Sequence, residues 1–104
     1  MKIIDFRFRP NTPEIINGIK NSSMFKATCE AIGFDKRVPQ ALPEIVADLD
    51  RRGVELCVVS GRDCETTYGF PANNNSILEF CRAYPNKFLG FWGIDPHKGM
   101  DAVR

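Results

Sequence analysis

Asp5, Arg7 and Arg9 stand at alternate positions in the opening stretch KIIDFRFRP, with the apolar Ile4, Phe6 and Phe8 between them or beside them. Side chains alternate faces along a strand, so the pattern predicts a β-strand with Ile4, Phe6 and Phe8 on one face and an acid followed by two arginines on the other. A guanidinium has a pKa above about 12 and presents a planar fork of donors. Two in line suit a carboxylate or phosphate gripped in bidentate fashion, and Asp5 is placed to be the ion-pair partner of Arg7. Anion binding and plain salt-bridging account for the stripe equally well.

Further chemistry-bearing residues follow two later apolar runs. Arg62 and Asp63 come directly after VELCVVSG, and Asp95 and His97 after KFLGFWGI. Loops at strand ends carry substrate contacts in many folds, which makes Arg62 and Asp95 candidate contacts beside Arg7 and Arg9; a solvated loop pair and an Asp-Pro turn are the plainer readings. His97, the one histidine, has no second imidazole, serine or cysteine near it and reads as a surface group. Cys64 lacks an adjacent base. Cys29, Cys57, Cys64 and Cys81 contain no Cys-x-x-Cys pair, which argues against a finger-type zinc site and for reduced thiols.

The elements that must position these residues are legible in outline. From Pro10 to about Val38 runs a helical excursion: Thr12-Pro13 resembles a helix start, followed by Ile15, Ile16 and Ile19 on one side. Ser23 opens a second short helix bearing Phe25, Cys29 and Ile32, stopped by Gly33. In LPEIVADLDRRG, Leu42, Ile45, Val46 and Leu49 keep the helical period and Gly53 supplies the stop. VELCVVS is apolar on both faces, as in a covered parallel sheet. NNNSILEFCRAYPNK is a helix through Ile77, Leu78 and Cys81, with Asn74 or Ser76 as cap, Ser76 and Glu79 being spaced for a capping box. KFLGFWGIDP is a third strand, and HKGMDAVR reads as the first turn of a further helix.

Strands alternating with helices predict right-handed βαβ units and a parallel sheet. A doubly wound nucleotide-binding sheet would place a glycine-rich turn directly after the first strand, where this chain has Arg9, Pro10, Asn11, Thr12 and Pro13. A nucleotide-binding role is therefore the weakest reading. In a (β/α)₈ barrel the polar stripe of the first strand faces the lumen and ends at the catalytic rim, which explains it better than burial under helices on both faces.

The phrases KIIDFRFRP, RRGVELCVVSG and NNNSILEFCRAYPNKFLGFWGIDP together resemble the N-terminal part of the amidohydrolase-related family of metal-dependent TIM-barrel enzymes. The segment from Pro10 to Val38 carries little of that resemblance. It implies an α/β fold in which residues 1–104 form a single partial domain, the first three strands of a (β/α)₈ TIM barrel. It further implies a parent that is a hydrolase or non-oxidative decarboxylase (a lyase) of a small carboxylate substrate, with this chain alone inactive. Where the family carries a metal-binding His-x-His pair at the end of strand one, this chain has Arg7 and Arg9, which have no lone pair to offer a metal. Zinc or manganese thus belongs, on this resemblance, to the parent barrel and not to these residues. The alternative is a non-catalytic or degenerate remnant that holds an anion at Arg7 and Arg9.

Composition excludes other classes. With 14 basic against 13 acidic residues in 104, the chain has no bulk charge to attract nucleic acid or an anionic membrane. No apolar run nears the roughly 20 residues that span a bilayer, and the N-terminus lacks a secretory pattern, so a cytoplasmic protein is expected. A whole barrel takes about 250 residues. The reading therefore expects a fragment, or a homo-oligomer in which copies cover the sheet, with Phe8, Val58, Phe91 and Trp92 short of cover otherwise.

Overall fold

A computed structural model describes residues 2–70 and 72–103. Strand β1 (Ile3–Phe8) leads into helix α1 (Pro13–Lys20), a 3-10 turn at Ser23–Phe25, helix α2 (Lys26–Ala31) and a second 3-10 turn at Phe34–Lys36. Helix α3 (Leu42–Arg51) feeds strand β2 (Val54–Ser60), and a short helix α4 (Glu65–Tyr68) precedes helix α5 (Asn74–Ala83) and strand β3 (Phe88–Phe91). Instead of a regular final helix, 3-10 turns cover Pro96–Val103, broken at Gly99. The described strands make one parallel sheet in the order β1-β2-β3, so the fold is α/β.

Hydrophobic period explains what packs where. Helix α3 buries Ile45 and Leu49, and α5 buries Ile77 and Phe80. All four converge on Cys57, Val59 and Phe88, the residues that β2 and β3 turn toward the helices. Burying each such large side chain contributes roughly 1.5–3 kcal/mol. Glycine ends the run after α3: Gly53 has φ of 75°, a left-handed conformation that glycine adopts without steric cost. Because consecutive parallel neighbours are joined by crossovers of one hand, both helices land on the same side. The strand order contains no reversal, the feature on which a doubly wound sheet depends.

The opposite face has no helical cover among the described residues. Ile4, Phe6, Leu89 and Phe91 point there and are exposed, Phe6 at 77%, and Trp92 beyond β3 is also exposed. Val58 is nonetheless buried and Phe8 half-buried, so the expected lack of cover holds for Phe91 and Trp92 only.

Register corrects the expected faces of β1. Asp5 pairs with Cys57 and Phe8 with Val59: three steps along β1 match two along β2. The extra residue is a bulge, and it switches Phe8 onto the helix-covered face, where its ring stacks on Phe88 at 6.1 Å. Asp5 lies on that same face. Ile4, Phe6 and Phe8 therefore do not share one side, and the uncovered face carries Ile4 and Phe6 in place of the expected polar stripe. The capping box is also absent: α5 begins at Asn74, and no side chain caps it. No helix among the described residues is long and apolar enough to cross a membrane.

Candidate functional site

The excursion between β1 and α3 folds over the carboxyl ends of β1 and β2. Its closing tie is the Gln40 N–H, which donates to the Asn11 carbonyl at 2.9 Å and returns the chain to its point of departure. A cavity of about 570 Å³ lies beneath. Apolar side chains of the excursion form its walls, among them Ile15 and Ile19 of α1 and Phe25 and Phe34 of the two 3-10 turns. The helical period of Ile15, Ile19 and Phe25 was readable in the sequence; that they line a cavity with Phe34 was not.

Arg7, Arg9, Arg37 and Arg62 all line this space, and no acidic residue does so among the described residues. Guanidinium groups around an apolar recess are suited chemically to holding an anion with an apolar body. The structure thus brings together three of the four residues singled out from the sequence, from the ends of neighbouring strands. It adds Arg37, which had no motif, strand end or spacing to mark it.

Each arginine is oriented differently. Arg62 follows β2, and its backbone N–H donates to Asn73 Oδ1 at 2.5 Å. Its guanidinium lies 4.7 Å from the centroid of the Phe70 ring. Arg62 Nε is buried without a hydrogen-bond partner among the described residues, a condition that costs about 1–3 kcal/mol. Arg37 is held over the Phe34 ring at 4.9 Å, and its carbonyl accepts a bond from Lys20 Nζ at 3.2 Å. Arg7 and Arg9 are exposed at the mouth. The expected ion pair between Asp5 and Arg7 is not formed: Asp5 Oδ1 accepts from the Arg7 backbone N–H at 2.9 Å, because the bulge separates the two side chains. Burial, and then the negative charge of Asp5, raise the pKa of the Cys57 thiol on the shared face, while Lys87 opposes them.

The strand ends beneath the arginines are clamped. Asn74 Nδ2 donates to the Gly93 carbonyl at 2.8 Å and Asn74 Oδ1 accepts from the Gly93 N–H at 2.9 Å. Gly61 passes so close that a Cβ there would stand 2.0 Å from Asn74 Oδ1 and 3.0 Å from Gly93 N. Only glycine permits this approach.

Asp95 stands apart from the three arginines and forms the turn that the Asp-Pro pair suggests. It is buried at 1% exposure and does not line the cavity. Its Oδ2 accepts from the Thr66 N–H at 3.0 Å and its Oδ1 from the His97 N–H at 3.0 Å. Bonds from the Thr66 side chain, then from the Thr66 and His97 backbone, hold its carboxyl below the usual range against the effect of burial. Asp95 therefore clasps α4 to the segment after β3. Asp63 reinforces the clasp by accepting from Lys98 Nζ at 2.9 and 3.0 Å, with Glu65 on the same ammonium at 3.1 Å. These acids raise the pKa of Lys98. His97 is exposed, as expected of a surface group.

Among the described residues no group of three His, Cys, Asp or Glu is placed to share an ion, and the guanidiniums of Arg7 and Arg9 have no lone pair to offer a metal. No protein-family model, curated protein or solved structure matches the chain.

Proposed function

We propose that the chain is the first wedge of an amidohydrolase-like (β/α)₈ barrel and that its part in the parent is to hold the negative charge of a small carboxylate substrate. The strand order β1-β2-β3, with α3 and α5 on one side, supports the barrel. In that reading the uncovered face, with Ile4, Phe6, Leu89 and Phe91, is the lumen wall, filled by side chains from the remaining strands. The parent reaction is hydrolysis or non-oxidative decarboxylation, with any metal bound by residues outside this chain.

One observation carries the anion-binding part: Arg7, Arg9 and Arg62 converge on one cavity at the carboxyl ends of neighbouring strands. The replacement of imidazoles by guanidiniums favours, as a second reading, a remnant that binds the anion without turnover. Both readings share the site, and thermal stability measured with benzoate and with inorganic phosphate tests it. A rise in Tm with either anion, diminished in Arg7→Ala, is the expected result. No concentration-dependent shift, or an equal shift in the variant, overturns anion binding here. Stoichiometric metal and hydrolysis or decarboxylation by the full-length parent separate the enzyme from the remnant.

A further inference from the structure

We infer that the ligand carries two separate carboxylates on a flat or branched apolar body, with Arg37 taking the second one. This inference rests on the anion-binding reading of the cavity and concerns the class of anion. Arg7, Arg9 and Arg62 enter from the sheet, at the ends of β1 and β2. Arg37 enters from the excursion, after α1 and α2 and the second 3-10 turn. A single carboxylate has two oxygens and is satisfied by one or two guanidinium forks. It leaves at least one further arginine lining the same recess, which no acidic residue lines among the described residues.

Arg37 is set up for that role. Its guanidinium lies over the Phe34 ring, so less side-chain freedom is lost when an anion arrives, and its backbone carbonyl accepts a hydrogen bond from Lys20 Nζ. Ile15, Ile19 and Phe25 line the same space and match an apolar body better than a string of hydroxyls. Arg62 Nε, buried and without a partner, supplies an unmet donor on the sheet side. The arrangement therefore selects for charge at two points with carbon between them.

Calorimetric titration of the chain with benzoate and with terephthalate, at matched ionic strength, tests this. Terephthalate is expected to bind about tenfold or more tightly than benzoate, the effect of one further charge-assisted pair. Arg37→Ala is expected to weaken terephthalate by about tenfold or more and benzoate by clearly less, so that the two acids approach one another, while Arg62→Ala weakens both. Circular dichroism of each variant confirms that it is folded. Equal affinities for the two acids in the parent chain, or an equal loss of both in Arg37→Ala, overturn the two-carboxylate class while leaving anion binding intact. Failure of both acids to bind removes the anion site itself and this inference with it.

Discussion

The Arg62 guanidinium stands over the Phe70 ring, 4.7 Å from its centroid, while the Arg62 backbone N–H is fastened to the Asn73 side chain. The residue is thus held at both ends before any ligand arrives, with Nε buried and unpartnered. Arg62→Ala is expected to weaken benzoate binding by about 10- to 100-fold, the range for losing a hydrogen bond to a charged group. Arg62→Lys recovers only part of this, since an ammonium neither forks nor stacks. Phe70→Leu, which removes the cation–π contact of about 0.5–2 kcal/mol, gives a smaller loss. Calorimetry on the three variants checks the ranking.

Asn74 stands in for a missing strand residue by exchanging two hydrogen bonds with Gly93. Asn74→Ala is expected to lower stability by about 1–3 kcal/mol. Asn74→Asp, which keeps the acceptor and loses the donor, should fall between. Urea denaturation gives both values.

Gly61 is the tightest point of the same junction. Gly61→Ala drives a Cβ into Asn74 Oδ1, which is itself pinned by Gly93. A loss of about 1–3 kcal/mol is expected from the overpacking. Combined with Asn74→Ala, the cost of the added methyl should shrink without vanishing, because Gly93 N and the Phe91 carbonyl also stand 3.0 Å away. A double-mutant cycle measures that coupling.

The clasp around Asp95 makes stability depend on pH in a defined direction. Its folded pKa lies below the ordinary value, so its contribution is present above the unfolded pKa of about 3.9 and is lost as pH falls through the lower folded value. Asp95→Asn should therefore lower Tm by a constant amount between pH 5 and 7, and the gap should close in stronger acid. Lys98 acts at the other end: its pKa is raised, so its contribution is present below about 10.4 and is lost as pH rises through the folded value. Lys98→Met and the parent chain should converge in Tm at high pH.

The uncovered face separates the chain from its proposed barrel. Phe6 is 77% exposed, so Phe6→Asp should change the stability of the 104-residue chain by no more than about 0.5 kcal/mol. In a closed barrel the same substitution buries a charge in the lumen and should cost several kcal/mol. Denaturation of the two forms side by side checks the difference.

Local rules carried much of the architecture. The i, i+3, i+4, i+7 period of Leu42, Ile45, Val46 and Leu49 determined α3 and its buried face, and the apolar run VELCVVS marked the central strand, although helices cover only one of its two expected faces among the described residues. That Arg7, Arg9 and Arg62 lie at strand ends was legible because strand ends can be located from such runs, and all three line one cavity. What the sequence could not determine depends on contacts between distant segments. The bulge in β1 is a register relation with β2, invisible to alternation within KIIDFRFRP, and it turned Phe8 inward and separated Asp5 from Arg7. Arg37 reaches the cavity only because the excursion folds back over the strand ends, and Asp95 leaves the candidate site because the N–H groups of Thr66 and His97 occupy both its oxygens. Period and propensity are written in neighbouring residues; which charge faces a cavity and which is consumed by a clasp is decided by the backbone that folding brings to it.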